Sequence, residues 1–443
     1  SIVASAAPRA LVYAHEFAWD KERDPVWKRL NTIYGFYNAG DRIDYTLGRG
    51  SVKGRPPEAT HCTNIGPHHR QRIHQAFQRW FDIDVTPQTE YSQRLEPEQL
   101  RSMTDQARRD FKPRKLFGTA RDIAQSQIAV ARKKLSSKTP AARQKQLQVD
   151  WRALLGDVNP RPQVKVLSLQ DKTLKDSAIR VERITLQTEP GIVVPMLLLQ
   201  DRRAKNQNAP VVVAVAQAGK EKFLRERTDA LAALLEKGAT ICLPDVRGAG
   251  TSRGSRGELG SASYYALFFE TPLAGLRLRD LRGVLQYLRA RPDLKPARFA
   301  LWGDSFTPPN APNTNFKIPK RVSGRPRFSE PLGGLLALGA ALYEDDVDAV
   351  YIQGGLVSYR DVLSGPFVYI PHDVVLPGVL AQGDLPLLSA TLASQSLRIH
   401  CQNPVDGLNR TLPLKTARAL HAPVPESMTF SNGAPNPASH LIR

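Results

Sequence analysis

The sequence predicts an α/β protein: a mostly parallel sheet with helices on both faces, preceded by a partial copy of such a domain and by a helical linker. Three observations lead there. From Val181 onward, short apolar strand-like runs alternate with amphipathic helical stretches, and strands joined through helices make right-handed crossovers in a parallel sheet. The run "APVVVAVAQAG" is nearly continuous and β-branched, as befits a strand buried on both faces. Finally, 443 residues with 41% hydrophobic content exceed what one core usually serves, so two domains are expected. The boundaries read as 1–82 for the partial first domain, 83–160 for a basic linker and 161–443 for the second domain.

In the first segment, "RALVYAHEF" reads as a strand, "PVWKRLNTIYGFYNA" as a helix, "RIDYTLG" as a second strand and "HHRQRIHQAFQRWF" as an amphipathic helix. This β-α-β-α order looks like the end of a larger α/β domain. The linker carries much of the net charge of +20, in "RRDFKPRKLFGTARD" and "ARKKLSSKTPAARQKQ". Its apolar residues Ile123, Ile128, Ala129, Ala131 and Leu135 recur at helical spacing, which predicts helices with a solvated basic face. Aromatic residues are not interleaved as nucleic-acid motifs require, so nucleic acid is not an expected partner.

In the second domain "RVERITLQTE" and "IVVPMLLLQ" flank Pro190-Gly191 and read as an antiparallel hairpin. "APVVVAVAQAG" follows, then helix "LRERTDALAALLEKGA" with Gly238 as its stop, and strand "TICLPDVRG". The leucine-striped helix "LAGLRLRDLRGVLQYLRAR" feeds strand "RFALWGDS". Helix "PLGGLLALGAALY" and strands "VDAVYIQGG", "SLRIHCQN" and "SMTFS" complete the domain.

Other classes lose ground on composition. No apolar run approaches the ~18 residues of a membrane span. Cys62, Cys242 and Cys401 stand apart, so neither a zinc site nor a disulfide framework is implied, and no metal or cofactor is expected. The opening "SIVASAAPRALVYAH" lacks the basic and apolar regions of a secretory signal. A processed start, and with it a secreted or periplasmic location, stays open.

Chemistry in such sheets sits at the carboxyl ends of the strands. Strand "FALWG" ends in Gly303-Asp304-Ser305, where a sharp elbow would expose the Ser305 hydroxyl and bring the Phe306 N–H to an oxyanion. A second donor would come from Gln217 or Ala218. The G-x-S-x-G spacing has Thr307 in place of its second glycine, and the Pro-rich insertion "TPPNAPNTNFKIPKRVSGRPRFSE" delays the next helix to Glu330. The alternative to a nucleophile is that Ser305 only begins an irregular loop, and Ser329 reads as a helix cap.

Near Ser305, "DVRGAGTS" supplies a glycine-rich turn in which Arg247 would anchor the loop on a buried carboxylate. For the remainder of a triad in the order Ser, Asp, His, the acid is Asp406 in "QNPVDGLNR". The base is His440 in "APNPASH", with His421 and His372 as the other choices. In the first segment Asp20 and His61 stand where an acid and a base belong, without a preceding serine elbow. His68, His69 and His74 read as residues of a solvated helix face.

Together "DVRGAGTS", "LWGDSF", "EPLGGLLALGAALYEDDVDAVYIQGGLVSY", "YIPHDVVLPG" and "PVDGLNR" resemble the acetyl xylan esterase-like proteins of the α/β-hydrolase superfamily, which often carry two hydrolase domains in tandem. "HEFAWDKERDPVW" and "EATHCTNIGPHHRQRI" resemble the end of the first of those domains. The resemblance implies an α/β-hydrolase fold and ester hydrolysis through an acyl-serine, with a small ester or acylated carbohydrate as substrate. It implies Ser305 as nucleophile and Asp406 as acid of the second domain, and Asp20 and His61 as acid and base of the first. Two departures stand against it: the first domain lacks its serine half, and "GAPNPASH" replaces the expected Gly-His. A catalytically inactive binding or scaffold protein of the same fold is the alternative.

Overall fold

The computed structural model describes residues 2–15, 19–48, 65–84, 95–173, 178–203, 210–254, 256–294, 298–318 and 322–442. Two compact units emerge, Ser1–Lys112 and Pro113–Arg443.

In the first unit, strand β1 (Leu11–His15), helix α1 (Pro25–Phe36), strand β2 (Ile43–Leu47) and helices α2 (Pro67–Phe81) and α3 (Asp105–Phe111) follow in order. β1 and β2 pair in parallel, Leu11 opposite Ile43. Asp24 starts α1 by accepting the Val26 N–H at 2.8 Å, with Pro25 in the first turn where no N–H is missed. Tyr13, Trp19, Trp27 and Tyr45 pack edge and face, with centroids from 5.6 to 6.0 Å apart. Such aromatic pairs give a two-stranded sheet an apolar cover that it could not otherwise build.

The second unit opens with α4 (Leu116–Ser136) and α5 (Pro140–Leu155). Both lie in the stretch read from sequence as a linker over 83–160. The structure instead divides the chain at Lys112 and packs these helices into the second core. Leu135, Leu147, Trp151 and Leu155 are buried in the main apolar cluster, and the Trp151 indole N–H donates to the Gly383 carbonyl at 3.3 Å. The basic residues of α4 and α5 mostly face solvent, as the helical spacing requires.

β3 (Lys165–Thr173), β4 (Ile179–Glu189) and β5 (Ile192–Asp201) form an antiparallel edge. β6 (Val211–Ala216), α6 (Lys220–Glu226), α7 (Thr228–Glu236), β7 (Thr240–Pro244), α8 (Arg256–Phe268), α9 (Leu273–Ala290), β8 (Phe299–Asp304), α10 (Leu332–Tyr343), β9 (Val347–Gln353), α11 (Leu385–Ala393), β10 (Arg398–Gln402), α12 (Leu414–Leu420), β11 (Met428–Ser431) and α13 (Ala438–Leu441) complete the unit. The nine strands stand in the order β11-β10-β9-β8-β6-β7-β5-β4-β3, parallel from β11 to β7. One core lies between the sheet and α5, α9, α10 and α11; a smaller one lies under α7 and α13. β6 and β8 are buried along their whole length, as an uninterrupted apolar run dictates. This is the α/β-hydrolase fold, with β8 near its centre.

Sequence periodicity gives one helix from Leu224 to Gly238; the chain breaks it at Arg227 into α6 and α7. The break turns the Arg227 guanidinium onto the buried end of β8. Edge strand β3 has no exposed/buried alternation, every residue being exposed, and so carries no periodic signal in the sequence.

Candidate active site

The site is built at the carboxyl end of β8, where Gly303 meets the first turn of α10. A Cβ on Gly303 would lie 2.4 Å from the Gly333 carbonyl carbon, and one on Gly333 would lie 2.5 Å from the Val215 oxygen. Only glycine permits that approach. The second glycine that the elbow spacing appeared to lack is therefore Gly333, delivered after the insertion. Between them the chain leaves the strand after Asp304 and rejoins the fold at Leu332. Asn310 anchors the excursion: its N–H donates to the Asn409 carbonyl at 2.6 Å, and its amide donates to the Arg327 and Leu408 carbonyls.

Ser305 stands at the strand end, as expected, but the turn there is not a strained elbow, since Ser305 keeps a negative φ. Its side chain is buried, with 7% of the residue exposed, and its oxygen lies against Gly354, where a Cβ would sit 3.3 Å away. Among the described residues no histidine ring hydrogen-bonds the Ser305 hydroxyl.

The residues read as its partners are engaged elsewhere. Asp406 accepts the N–H groups of Leu408 and Arg410 at 2.9 Å each and pairs with the Arg410 guanidinium at 2.7 Å. His440 lies in α13, its ring 5.3 Å from that of His400 and its carbonyl accepting from Arg398. His421 closes α12 with Nδ1 2.7 Å from the Ala417 carbonyl, and burial pushes its pKa down to about 4. Ser329, fully buried, donates to the Tyr369 carbonyl at 3.3 Å and does not cap α10. In the first unit Asp20 is exposed and pairs with Arg23 at 3.4 Å, while His61 lies outside the described residues. His69, expected on a solvated face, is buried, with Nε2 2.6 Å from the His15 carbonyl.

Both residues read as oxyanion donors line one cleft, and the N–H of Phe306 is already taken. The Phe306 N–H donates to the Glu330 carboxylate at 2.8 Å. Gln217 accepts the Gly250 N–H at its carbonyl, at 3.0 Å, and extends its side-chain amide toward Asp373 at 3.4 Å. Glu330 was not foreseen, because nothing in the sequence links it to a residue twenty-four positions earlier. Phe306, Gln217, Glu330 and His372 line a cleft of ≈ 730 Å³. His372 holds the wall through Nδ1, 3.0 Å from the Ser263 hydroxyl.

Beneath the cleft the charges are paired. Arg247 does anchor its loop on a buried carboxylate: its Nε donates to Asp280 at 2.7 Å, and its guanidinium also reaches the partly buried Glu189. Asp245 accepts the Lys220 and Thr251 N–H groups, at 2.8 Å each, which fixes the glycine turn beside β6. Asp304, fully buried, takes two bonds from Arg227 at 2.9 Å. Burial pushes the Asp304 pKa up to about 6, and the Arg227 charge holds it from rising further. No group of His, Cys, Asp or Glu among the described residues could hold a metal ion.

Comparison with known proteins supports the architecture. The chain resembles a proposed acetyl xylan esterase from Bacteroides fragilis NCTC 9343 at 15% identity and a TM-score of 0.51, over 73% of this chain and 83% of that one. More distant likenesses are a methylesterase, at 14% identity, TM-score 0.44 and coverage of 72% and 66%, and a glucuronoyl esterase from Solibacter usitatus, at 15%, 0.41, 68% and 88%. No family model and no curated protein matches the chain. At such identities it is the fold that is shared.

Proposed function

We propose that the chain is a carboxylic ester hydrolase acting on a small acylated carbohydrate bound in the cleft beside β8. The observation that carries this reading is Ser305 at the carboxyl end of a central strand, beside the Gly303–Gly333 approach, with its neighbour Phe306 lining the cleft. In the reaction the Ser305 oxygen bonds to the ester carbonyl carbon and passes its proton to an imidazole. The alcohol leaves with that proton, and water then releases the acid from the acyl-serine. His372 is the imidazole that shares the cleft with Phe306; His440 and His421 pack elsewhere. Glu330 must leave the Phe306 N–H before a developing oxyanion can take its place, so the arrangement described is a closed one. Catalytic hydrogen bonds commonly tighten only when substrate binds.

A second reading is favoured by the same contacts. With Asp406 given to Arg410, Phe306 to Glu330 and no imidazole on Ser305 among the described residues, the unit would bind its ester without cleaving it. A fluorophosphonate probe with peptide mapping separates the two, together with turnover of acetylated xylo-oligosaccharide by wild type, Ser305→Ala and His372→Ala. Labelling at Ser305 and loss of turnover in both variants support hydrolysis. Turnover that survives Ser305→Ala, or a protein that neither labels nor turns over ester, overturns it.

A further inference from the structure

The charge lining the cleft is unevenly compensated. Lys222, Arg253, Arg325 and Arg327 line it together with Glu330 and Asp373. The two carboxylates are already committed, Glu330 to the Phe306 N–H and Asp373 to the buried Arg277 guanidinium at 2.7 Å. Lys222 is paired with Glu226. Arg253 and Arg327 are exposed, and neither side chain forms an ion pair or hydrogen bond among the described residues. Two guanidinium groups lining one cleft suit an oxyanion, which their planar forks can grip with paired N–H groups.

The floor adds a different demand. Gln217 is 4% exposed, and its amide N–H₂ must face the Asp373 carboxylate, because a carbonyl there would meet like charge. That leaves the Gln217 Oε1 buried and without a partner. A buried acceptor left unmade is costly, and a ligand hydroxyl would satisfy it. Phe328, 45% exposed and 5.2 Å from the Tyr369 ring, offers an apolar surface to the C–H face of a sugar.

We infer that the ligand of this cleft is a carbohydrate that itself bears an oxyanion, such as a uronate carboxylate, gripped by Arg253 and Arg327 while Gln217 Oε1 accepts one of its hydroxyls. The inference rests on the reading of this cleft as the carbohydrate site, and it holds whether or not the ester is cleaved.

Calorimetric titration of the full chain with trigalacturonate, a sulfated trisaccharide and neutral xylotriose tests it without turnover. The acidic sugars should bind at least about tenfold more tightly than xylotriose at low salt, and the margin should shrink as salt is raised. The double variant Arg253→Gln/Arg327→Gln should lose that margin, whereas Gln217→Leu should weaken acidic and neutral sugars alike. Tighter binding of the sulfated sugar than of trigalacturonate would assign the oxyanion to a sulfate ester; the reverse order assigns it to a uronate, and either supports the inference. Equal affinity for all three sugars overturns it. So does a margin that survives the double variant, since the general positive field of the chain would then be its source. Turnover of neutral acetylated xylo-oligosaccharide without any acidic preference would overturn this inference and leave ester hydrolysis standing; acidic preference without turnover does the opposite.

Discussion

Replacing Arg227 by Met strands the Asp304 carboxylate at the end of β8, fully buried and deprived of two bonds of 2.9 Å. Removing one partner of a buried pair costs about 3–5 kcal/mol when the other stays charged. The cost must depend on pH. Asp304 has a folded pKa of about 6 against an ordinary value of 3.8, so folding takes up a proton between those limits. Its contribution to stability is therefore fullest below its unfolded pKa and is lost as pH rises through about 6. Without Arg227 the folded pKa climbs higher, and each unit of climb adds about 1.4 kcal/mol to the loss at neutral pH. Urea unfolding of wild type and Arg227→Met should then show a larger difference at about pH 8 than at about pH 5, where the carboxyl is protonated and needs no cation. Asp304→Asn in the same background should recover part of the loss. A difference that is the same at both pH values, or below about 1 kcal/mol at the higher one, would refute the account of a buried charge held by Arg227.

Two further expectations follow from packing and titration. Trp151→Ala should destabilise the second unit by about 3–5 kcal/mol in denaturant melts, because α5 is part of that core; a free linker helix would lose almost nothing. His421 titrates at about 4 in the fold because it is buried, so the stability it confers is complete above its unfolded value of 6.5 and drains away as pH falls toward 4. His421→Gln should flatten that acid limb in pH-dependent thermal melts, and an unchanged limb would count against a buried neutral ring.

Local order was legible because local physics writes it. The short β-branched run at Val211–Ala216 reads as a doubly covered strand, and the leucine stripe of Leu273–Ala290 as a face turned to a core. The ring of contacts that makes a site was less legible. Gly333 completes the turn begun by Gly303, and Glu330 reaches the Phe306 N–H, across an insertion whose length hides both relations. Asp406 reads as a triad acid from its place after β10, yet Arg410, four residues on, takes it by the shorter route. The stretch read as a linker hid its packing for a related reason: charge marked the outer face of α4 and α5, while Leu147 and Trp151 on the inner face lie in a core that only the folded chain supplies.

The excursion between Ser305 and Pro331 starts and finishes where two glycine backbones touch. A detour that begins and ends at one point on the scaffold can be lengthened or rebuilt at little thermodynamic expense, roughly 0.6 kcal/mol for each doubling. The protein thus has a segment beside its binding cleft whose length weighs little on the sheet, and exchanging the residues between the Asn310 and Arg327 anchor points would re-tailor recognition while leaving the sheet and its helices in place.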